Sequence, residues 1–92
     1  MIVDSTALPE QAVQDIIISA FQSAGQRCSA LRILYLQDDI AEAFQQMLFG
    51  AMEELIMGDP WRLSTGVGPV IDQIAQAKSS AILNMRAVRA GC

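Results

Sequence analysis

Apolar residues recur along the first third of the chain at spacings that predict a strand, a helix and a second strand. The apolar run at residues 1–3 ends at the turn-forming residues 4–6, which is typical of the end of a strand. From Pro9 onward, apolar side chains return every three or four residues, as on one buried face of a helix, and Gly25 is a natural stop. The nearly continuous apolar run at residues 31–36 predicts a strand that is covered on both faces.

The rest of the chain is predicted to contain a second helix, a loop and a third helix. Asp38 and Asp39 are typical of a helix start, and we expect that helix to continue as far as Gly58. Its apolar stripe consists of Phe44, Met47, Leu48, Ala51, Met52, Leu55 and Ile56. Prolines and glycines between Asp59 and Pro69 indicate a loop, and Asp72 is the predicted N-cap of the third helix. The apolar positions of this last helix are Ile74, Ile82, Met85 and Val88.

Two strands joined by a helix predict a right-handed parallel crossover. The fold class is therefore α/β, with a parallel β-α-β unit followed by two helices. Ligand sites in such folds lie at the carboxyl ends of strands or in the turns beside them. Two strands alone make a poor sheet.

Composition adds an expectation about contacts outside the chain. Hydrophobic residues make up 52% of the chain and charged residues 17%, which is an apolar balance for 92 residues with so much surface relative to volume. Some apolar surface is therefore expected to be exposed and to drive homo-oligomer formation. No apolar run approaches the roughly 20 residues of a membrane span, and no signal-peptide pattern is present, so we expect a cytoplasmic protein.

Charge and residue usage exclude several kinds of function. The net charge is −4, which argues against a basic nucleic-acid-binding surface. The absence of histidine excludes a histidine-based metal site or general base. The two cysteines, Cys28 and Cys92, are too few for a disulfide framework and are expected to be free thiols.

Cys28 lies where the first predicted helix leads into the second predicted strand. A free cysteine is most often a small buried residue. Here the preceding Gly25, Gln26 and Arg27 indicate an irregular turn, in which backbone N–H groups remain available to bind an oxyanion. The turn is thus a candidate site for nucleophilic chemistry.

Residues 21–30 resemble, position by position, the active-site cysteine signature of the aldehyde dehydrogenase superfamily. That signature is an aromatic or aliphatic residue, three spacers, Gly, Gln or Glu, any residue, Cys and two small residues. The matching positions are Phe21, Gly25, Gln26, Cys28, Ser29 and Ala30. Residues 4–11, 19–36, 68–72 and 84–86 are similar to the L-glutamate γ-semialdehyde (1-pyrroline-5-carboxylate) dehydrogenase module of bacterial proline utilization A (PutA).

The resemblance implies covalent catalysis with Cys28 as the nucleophile, an aldehyde as substrate and NAD as the cofactor of the whole enzyme. The backbone N–H of Cys28 would form half of the oxyanion hole. Ser29 is implied to contact the semialdehyde. Arg27 is a second candidate for substrate binding, and a solvated surface arginine is the alternative.

The resemblance also implies that residues 1–92 are a partial catalytic domain that contains the thiol and lacks the cofactor-binding domain. The general base of the family is a glutamate in a Glu-x-Gly-Gly stretch, which is expected before Met1. We therefore expect no cofactor on this chain, FAD only in a separate proline dehydrogenase module, and no activity from the chain alone. The alternative is a truncated, non-catalytic interaction module that associates through its apolar helices.

Overall fold

The computed structural model describes the backbone of residues 1–90 and the side chains of residues 1–85. Its elements, in order, are β1 (Ile2–Val3), α1 (Pro9–Phe21), β2 (Tyr35–Leu36), α2 (Asp38–Glu53) and α3 (Gln73–Ala90). The two strands pair in parallel, with Ile2 opposite Tyr35 and Val3 opposite Leu36. The predicted parallel β-α-β unit followed by two helices is confirmed. Of the residues predicted above, Val88 and Cys92 lie outside the described side chains.

Local sequence explains where the first two long helices begin. Pro9 is the first residue of α1, where its fixed φ suits the helix and its missing N–H removes no helical hydrogen bond. Asp38 and Asp39 occupy the first turn of α2, where carboxylates interact favourably with the positive end of the helix dipole. Both predicted starts are confirmed.

The core is a single cluster between β1, α1 and α2. Its buried members are Val3, Val13, Ile16, Phe44 and Leu48. Phe44 is only 2% exposed and is the largest of these side chains. Since Phe44 and Leu48 are four residues apart, they lie on one face of α2, and that face packs against α1. The cluster therefore holds together the first 53 residues, which include both strands.

The second strand is shorter and more exposed than the sequence predicted. Only Tyr35 and Leu36 form strand, although the predicted run began at residue 31. Ile33 and Tyr35 are 62% and 64% exposed, whereas Leu34 and Leu36 pack against the core. The chain alone therefore does not cover both faces of this strand. β1 offers only two residues for pairing, and the helices cover one face of the pair.

The second helix ends at Glu53, five residues before the predicted end at Gly58. A backbone closure between the segments around residues 56–58 and 66–67 replaces the last predicted turn. Ile56 accepts hydrogen bonds from the N–H groups of Gly66 and Val67, at 2.8 and 3.1 Å. Gly58 donates to the carbonyl oxygen of Val67 at 3.0 Å. These hydrogen bonds join residues about ten apart along the chain. The apolar spacing of a helix relates residues three or four apart, so it does not predict them.

The surface of α2 and residues 73–85 of α3 keep many apolar side chains in solvent. Met47 and Met52, which belong to the predicted apolar stripe of α2, are exposed. On α3, the exposed apolar residues are Ile74, Ile82, Leu83 and Met85. Asp72 accepts a 2.8 Å hydrogen bond from the N–H of Ala75, which confirms the predicted cap. Within residues 1–90, no helix is long and apolar enough to cross a membrane.

A left-handed turn follows α1 at Gln22–Gly25. Ser23, Ala24 and Gly25 have φ values of 56°, 55° and 70°. Left-handed backbone costs roughly 1–2 kcal/mol for each residue that has a Cβ atom. At Gly25, a Cβ atom would also lie 2.8 Å from the carbonyl oxygen of Ala20. The turn therefore requires glycine at position 25, for both its dihedral angles and the space around it.

Replacement of this glycine tests the turn. We expect Gly25→Ala to lower the free energy of unfolding by about 1–3 kcal/mol, because it combines positive φ with a backbone clash. The matched control is Gly50→Ala in α2, where an added Cβ would contact nothing within 4 Å. That control should stabilise the chain by about 0.5–1 kcal/mol, since alanine favours a helix. Urea unfolding followed by circular dichroism measures both changes. Equal stability of the two variants would contradict the requirement for glycine at position 25.

The turn between β1 and α1 generates a prediction about pH. Hydrogen bonds from the hydroxyl and then the backbone N–H of Thr6 lower the pKa of the Asp4 carboxyl below its ordinary value. These hydrogen bonds therefore stabilise the folded chain fully above the unfolded-state pKa of about 3.9. Their stabilisation is lost as the pH falls through the lower pKa of the folded state.

Accordingly, Asp4→Ala should lower the thermal unfolding midpoint at neutral pH. The difference in midpoint between the variant and the unaltered chain should shrink as the solution is acidified through about pH 4. Glu42→Ala is the control, because Glu42 is exposed and accepts no side-chain hydrogen bond from the described residues. A difference for Asp4→Ala that stays constant from neutral to acidic pH would show that the carboxylate has no such role.

Candidate active site

The predicted nucleophile lies at the tip of a tight turn. We call residues 23–30 the cysteine turn; Gly25 near its start and Ala30 at its end are buried, and Arg27, Cys28 and Ser29 between them are exposed. The N–H of Ala30 donates to the carbonyl oxygen of Arg27 at 3.2 Å, which closes the tip. Cys28 is a free, exposed thiol, and the alternative of a small buried core residue does not apply.

Two contacts hold the ends of the cysteine turn. The N–H of Leu31 donates to the carbonyl oxygen of Ser19 at 3.3 Å and to its hydroxyl at 3.2 Å, so the turn is tied back to α1. The Arg32 guanidinium donates from Nη2 to the carbonyl oxygen of Gly25 at 2.6 Å. Sequence analysis assigned no role to Ser19 or Arg32, because their partners are identified only by the fold.

Gln26 connects the cysteine turn to a distant part of the chain. Its Nε2 donates to the carbonyl oxygen of Ser23 at 3.0 Å, and its Oε1 accepts from the N–H of Ile71 at 2.7 Å. Within the described part of the chain, this is the one hydrogen bond between the cysteine turn and the residues that follow α2. The signature match included Gln26, but no sequence pattern indicated its partner at residue 71.

Open space lies on both sides of Gln26. A cleft of about 490 Å³ separates the cysteine turn from the loop that follows α2; its lining includes Ser23, Gln26, Pro60, Thr65 and Ile71. A groove of about 690 Å³ lies between the turn and α3; its lining includes Phe21, Gln26, Arg32, Val70 and Leu83. Cys28 is in neither lining, and it is exposed.

The three predicted site residues are therefore grouped on one exposed tip. Their proximity follows from their adjacency in sequence, and the fold adds their exposure. The backbone N–H of Cys28 donates to no acceptor among the described residues, so it is available to an oxygen atom of a bound molecule. Cys28 and Ser29, which carry the thiol and the hydroxyl, are both exposed to solvent.

The described residues do not fit a metal ion or NAD. Residues 1–90 contain no group of three His, Cys, Asp or Glu side chains that could hold a metal. The sheet has two strands, and the Gly66-Val67-Gly68 segment continues into Pro69 rather than into a helix amino terminus. A dinucleotide-binding turn needs a preceding strand and a following helix. The Gly66-Val67-Gly68 segment is therefore not a turn of that kind.

The sequence of this chain is similar to those of aldehyde dehydrogenases. The model of the "Aldehyde dehydrogenase family" matches residues 1–91. "Bifunctional protein PutA" of Salmonella typhimurium is 66% identical over 77 residues, which are 84% of this chain and 6% of that protein. The "1-pyrroline-5-carboxylate dehydrogenase" of Geobacillus sp. is 38% identical over 78 residues, which are 85% of this chain and 15% of the relative.

A solved structure gives the same result for the fold. The crystal structure of a mutant of Bradyrhizobium japonicum Proline Utilization A (PutA) matches with a TM-score of 0.86 and 51% identity. The match covers 95% of this chain and 9% of the PutA chain. The chain thus spans a small part of the length of the relatives to which it is similar. By its sequence and its fold, this chain belongs to the aldehyde dehydrogenase family and matches a fragment of the aldehyde dehydrogenase domain of PutA.

Proposed function

We propose that this chain supplies the cysteine nucleophile of an NAD-dependent enzyme that oxidises L-glutamate γ-semialdehyde to glutamate in proline catabolism. The observation that carries the proposal is the exposed Cys28 thiol, at the tip of a tight turn and beside a free backbone N–H. The names of the PutA and 1-pyrroline-5-carboxylate dehydrogenase relatives support the substrate class. The proposal keeps the cytoplasmic location expected from the sequence.

The step assigned to this chain is addition of the thiol to the aldehyde. The sulfur, as thiolate, forms a bond to the aldehyde carbon, and the π electron pair of the carbonyl group moves to its oxygen. That oxygen then takes a proton to give a thiohemiacetal. While the oxygen is negative, the N–H of Cys28 donates a hydrogen bond to it, which lowers the energy of the developing charge.

Two neighbours of Cys28 are proposed to bind the substrate. The Ser29 hydroxyl is exposed next to the thiol and is suited to a polar oxygen of the semialdehyde. Arg27 is an exposed cation on the other side and is suited to a carboxylate. Oxidation of the adduct needs a hydride acceptor, which the family resemblance gives as NAD+. The described residues form no site for that acceptor, so they account for thiol addition alone.

A chimera tests the proposal in a complete enzyme. In the Salmonella PutA, the segment that is 66% identical to this chain over 77 residues would be replaced by the matching 77 residues of this chain. We expect the chimera to reduce NAD+ in the presence of 1-pyrroline-5-carboxylate. Cys28→Ala within it should lower kcat by more than about 10³-fold, because removal of a covalent nucleophile eliminates the main reaction path. A folded chimera with no activity, or full activity after Cys28→Ala, would contradict the proposal.

Substitution of Ser29 in the same chimera tests whether this residue acts in substrate binding or in the chemical step. Ser29→Ala is expected to raise KM more than it lowers kcat, because it removes a substrate contact and leaves the thiol in place. The 92-residue chain alone is the control and is expected to show no aldehyde-dependent NAD+ reduction. Turnover by the chain alone that disappears in Cys28→Ala would show that it contains a base and a cofactor site of its own.

A second candidate function is self-association, and the exposed apolar surface favours it. Trp61 is 93% exposed in the loop between α2 and α3, and Ile74, Ile82 and Leu83 are exposed along α3. The two-stranded sheet also has open edges. Apolar side chains in water and unpaired strand edges are both covered when a second copy of the chain binds. We therefore propose that the isolated chain forms a homo-oligomer.

Light scattering over a concentration series measures this association. The mass should exceed the 10.0 kDa of one chain and rise with concentration. The double variant Ile82→Glu/Leu83→Glu should shift the mass toward the monomer, because charge at these positions opposes burial. Ser79→Glu/Ser80→Glu places the same charge at polar positions of α3 and should leave the mass unchanged. A constant monomer mass for the unaltered chain would refute the proposal.

A further inference from the structure

We infer that Gln26 is a positioning residue for Cys28, because its side-chain amide fixes the cysteine turn against the segment that leads into α3. This inference rests on the proposed function, since the position of Cys28 matters only if its thiol reacts. Gln26 contacts neither substrate nor cofactor in this proposal. Its effect passes through the backbone of the turn to the residue two positions later.

The two ends of the Gln26 amide bind partners on opposite sides. Nε2 donates to the Ser23 carbonyl oxygen at 3.0 Å, inside the left-handed part of the turn. Oε1 accepts from the N–H of Ile71 at 2.7 Å, 45 residues away in sequence. The backbone N–H of Gln26 also donates to Ser23, at 3.0 Å. The residue is therefore held at its backbone and at both polar atoms of its side chain.

No other hydrogen bond among the described residues joins the cysteine turn to the chain beyond α2. α3 itself has no extensive contact with another helix or strand of that part. The link from Gln26 to Ile71 thus decides how the turn and the start of α3 lie relative to each other. Because Cys28 is two residues from Gln26, their Cα atoms are at most about 7 Å apart, too close for independent movement.

The chemistry of the amide explains why glutamine suits this position. The position needs an acceptor for the N–H of Ile71 and a donor for the carbonyl oxygen of Ser23, and an amide provides one of each. Glutamate keeps the acceptor and loses the donor. Leucine loses both. A matched series at position 26 therefore separates the long-range bond from the local one.

Gln26 is exposed, so water competes for both bonds and their contribution to stability is expected to be small. Their effect on geometry is different, because Gln26 lines both the cleft and the groove beside the turn. Loss of the bond to Ile71 would let these two spaces open into each other. The inference therefore predicts a change in the placement of the turn without a matching loss of stability.

Electron spin resonance distance measurements test this placement. Nitroxide labels would be attached at Cys28 and at Gln76→Cys on α3, in a Cys92→Ser background, with excess unlabelled chain so that only distances within one chain are measured. Gln26→Leu should broaden and shift the distance distribution. Gln26→Glu, which keeps the acceptor for Ile71, should restore most of the narrow distribution. Gln22→Leu is the matched control at an exposed glutamine just before the cysteine turn, and it should have no effect.

Thermal unfolding and the chimera separate the remaining outcomes. Gln26→Leu should leave the unfolding midpoint close to that of the unaltered chain. A variant with both a lower unfolding midpoint and a broadened distance distribution would indicate a merely structural role and would overturn the inference. In the chimera, Gln26→Leu should lower kcat with little change in KM. An inactive chimera with the expected distances would reject the proposed function alone. An unchanged distribution in Gln26→Leu would reject the positioning role, whatever the activity.

Discussion

Burial of Phe44 between α1 and the parallel strands is the interaction on which the rest of this structure depends. Phe44 joins Val13 and Ile16 of α1 and Val3 of β1 in one cluster, and no second buried cluster of this kind supports the described residues. Because α1 must lie across the strand pair to cover this side chain, the chain has to reverse direction as soon as α1 ends. The position of the cysteine turn follows from that requirement.

The reversal is made with left-handed backbone, which is unfavourable for Ser23 and Ala24 and acceptable for Gly25. Such a turn keeps its shape only when neighbouring contacts support it. Here the support comes from Arg32 at the Gly25 carbonyl group and from Leu31 at Ser19. A rigid base and an exposed tip are combined in this way. The proposed chemistry needs both, since a thiol must reach its substrate and must also be held in one orientation.

Stability and chemistry therefore depend on different parts of the chain. The buried cluster lies within residues 3–48, whereas Cys28 and its neighbours contribute no buried side chain between Gly25 and Ala30. The apolar surface of α3 belongs to neither group. Its side chains face solvent in this chain, which covers only a small part of its PutA relatives. Association with a second copy is the proposed consequence of that exposure.

The sequence by itself determined the order of the elements and several of their ends. Pro9, Asp38 and Asp72 marked helix starts correctly, because caps and first turns depend on residues that are close together in the chain. The cysteine signature likewise identified the family, since it is a run of adjacent residues. It also predicted Cys28 as the nucleophile, and that role stays a prediction.

Only the tertiary structure decided the features that join distant residues. The length of β2 depends on the two residues that β1 offers it, and the end of α2 at Glu53 depends on the closure of Ile56 with Gly66. The exposure of the methionines and the bond from Gln26 to Ile71 depend in the same way on which surfaces meet. Hydrophobic periodicity describes one element at a time, so it contains no information about a partner 45 residues away.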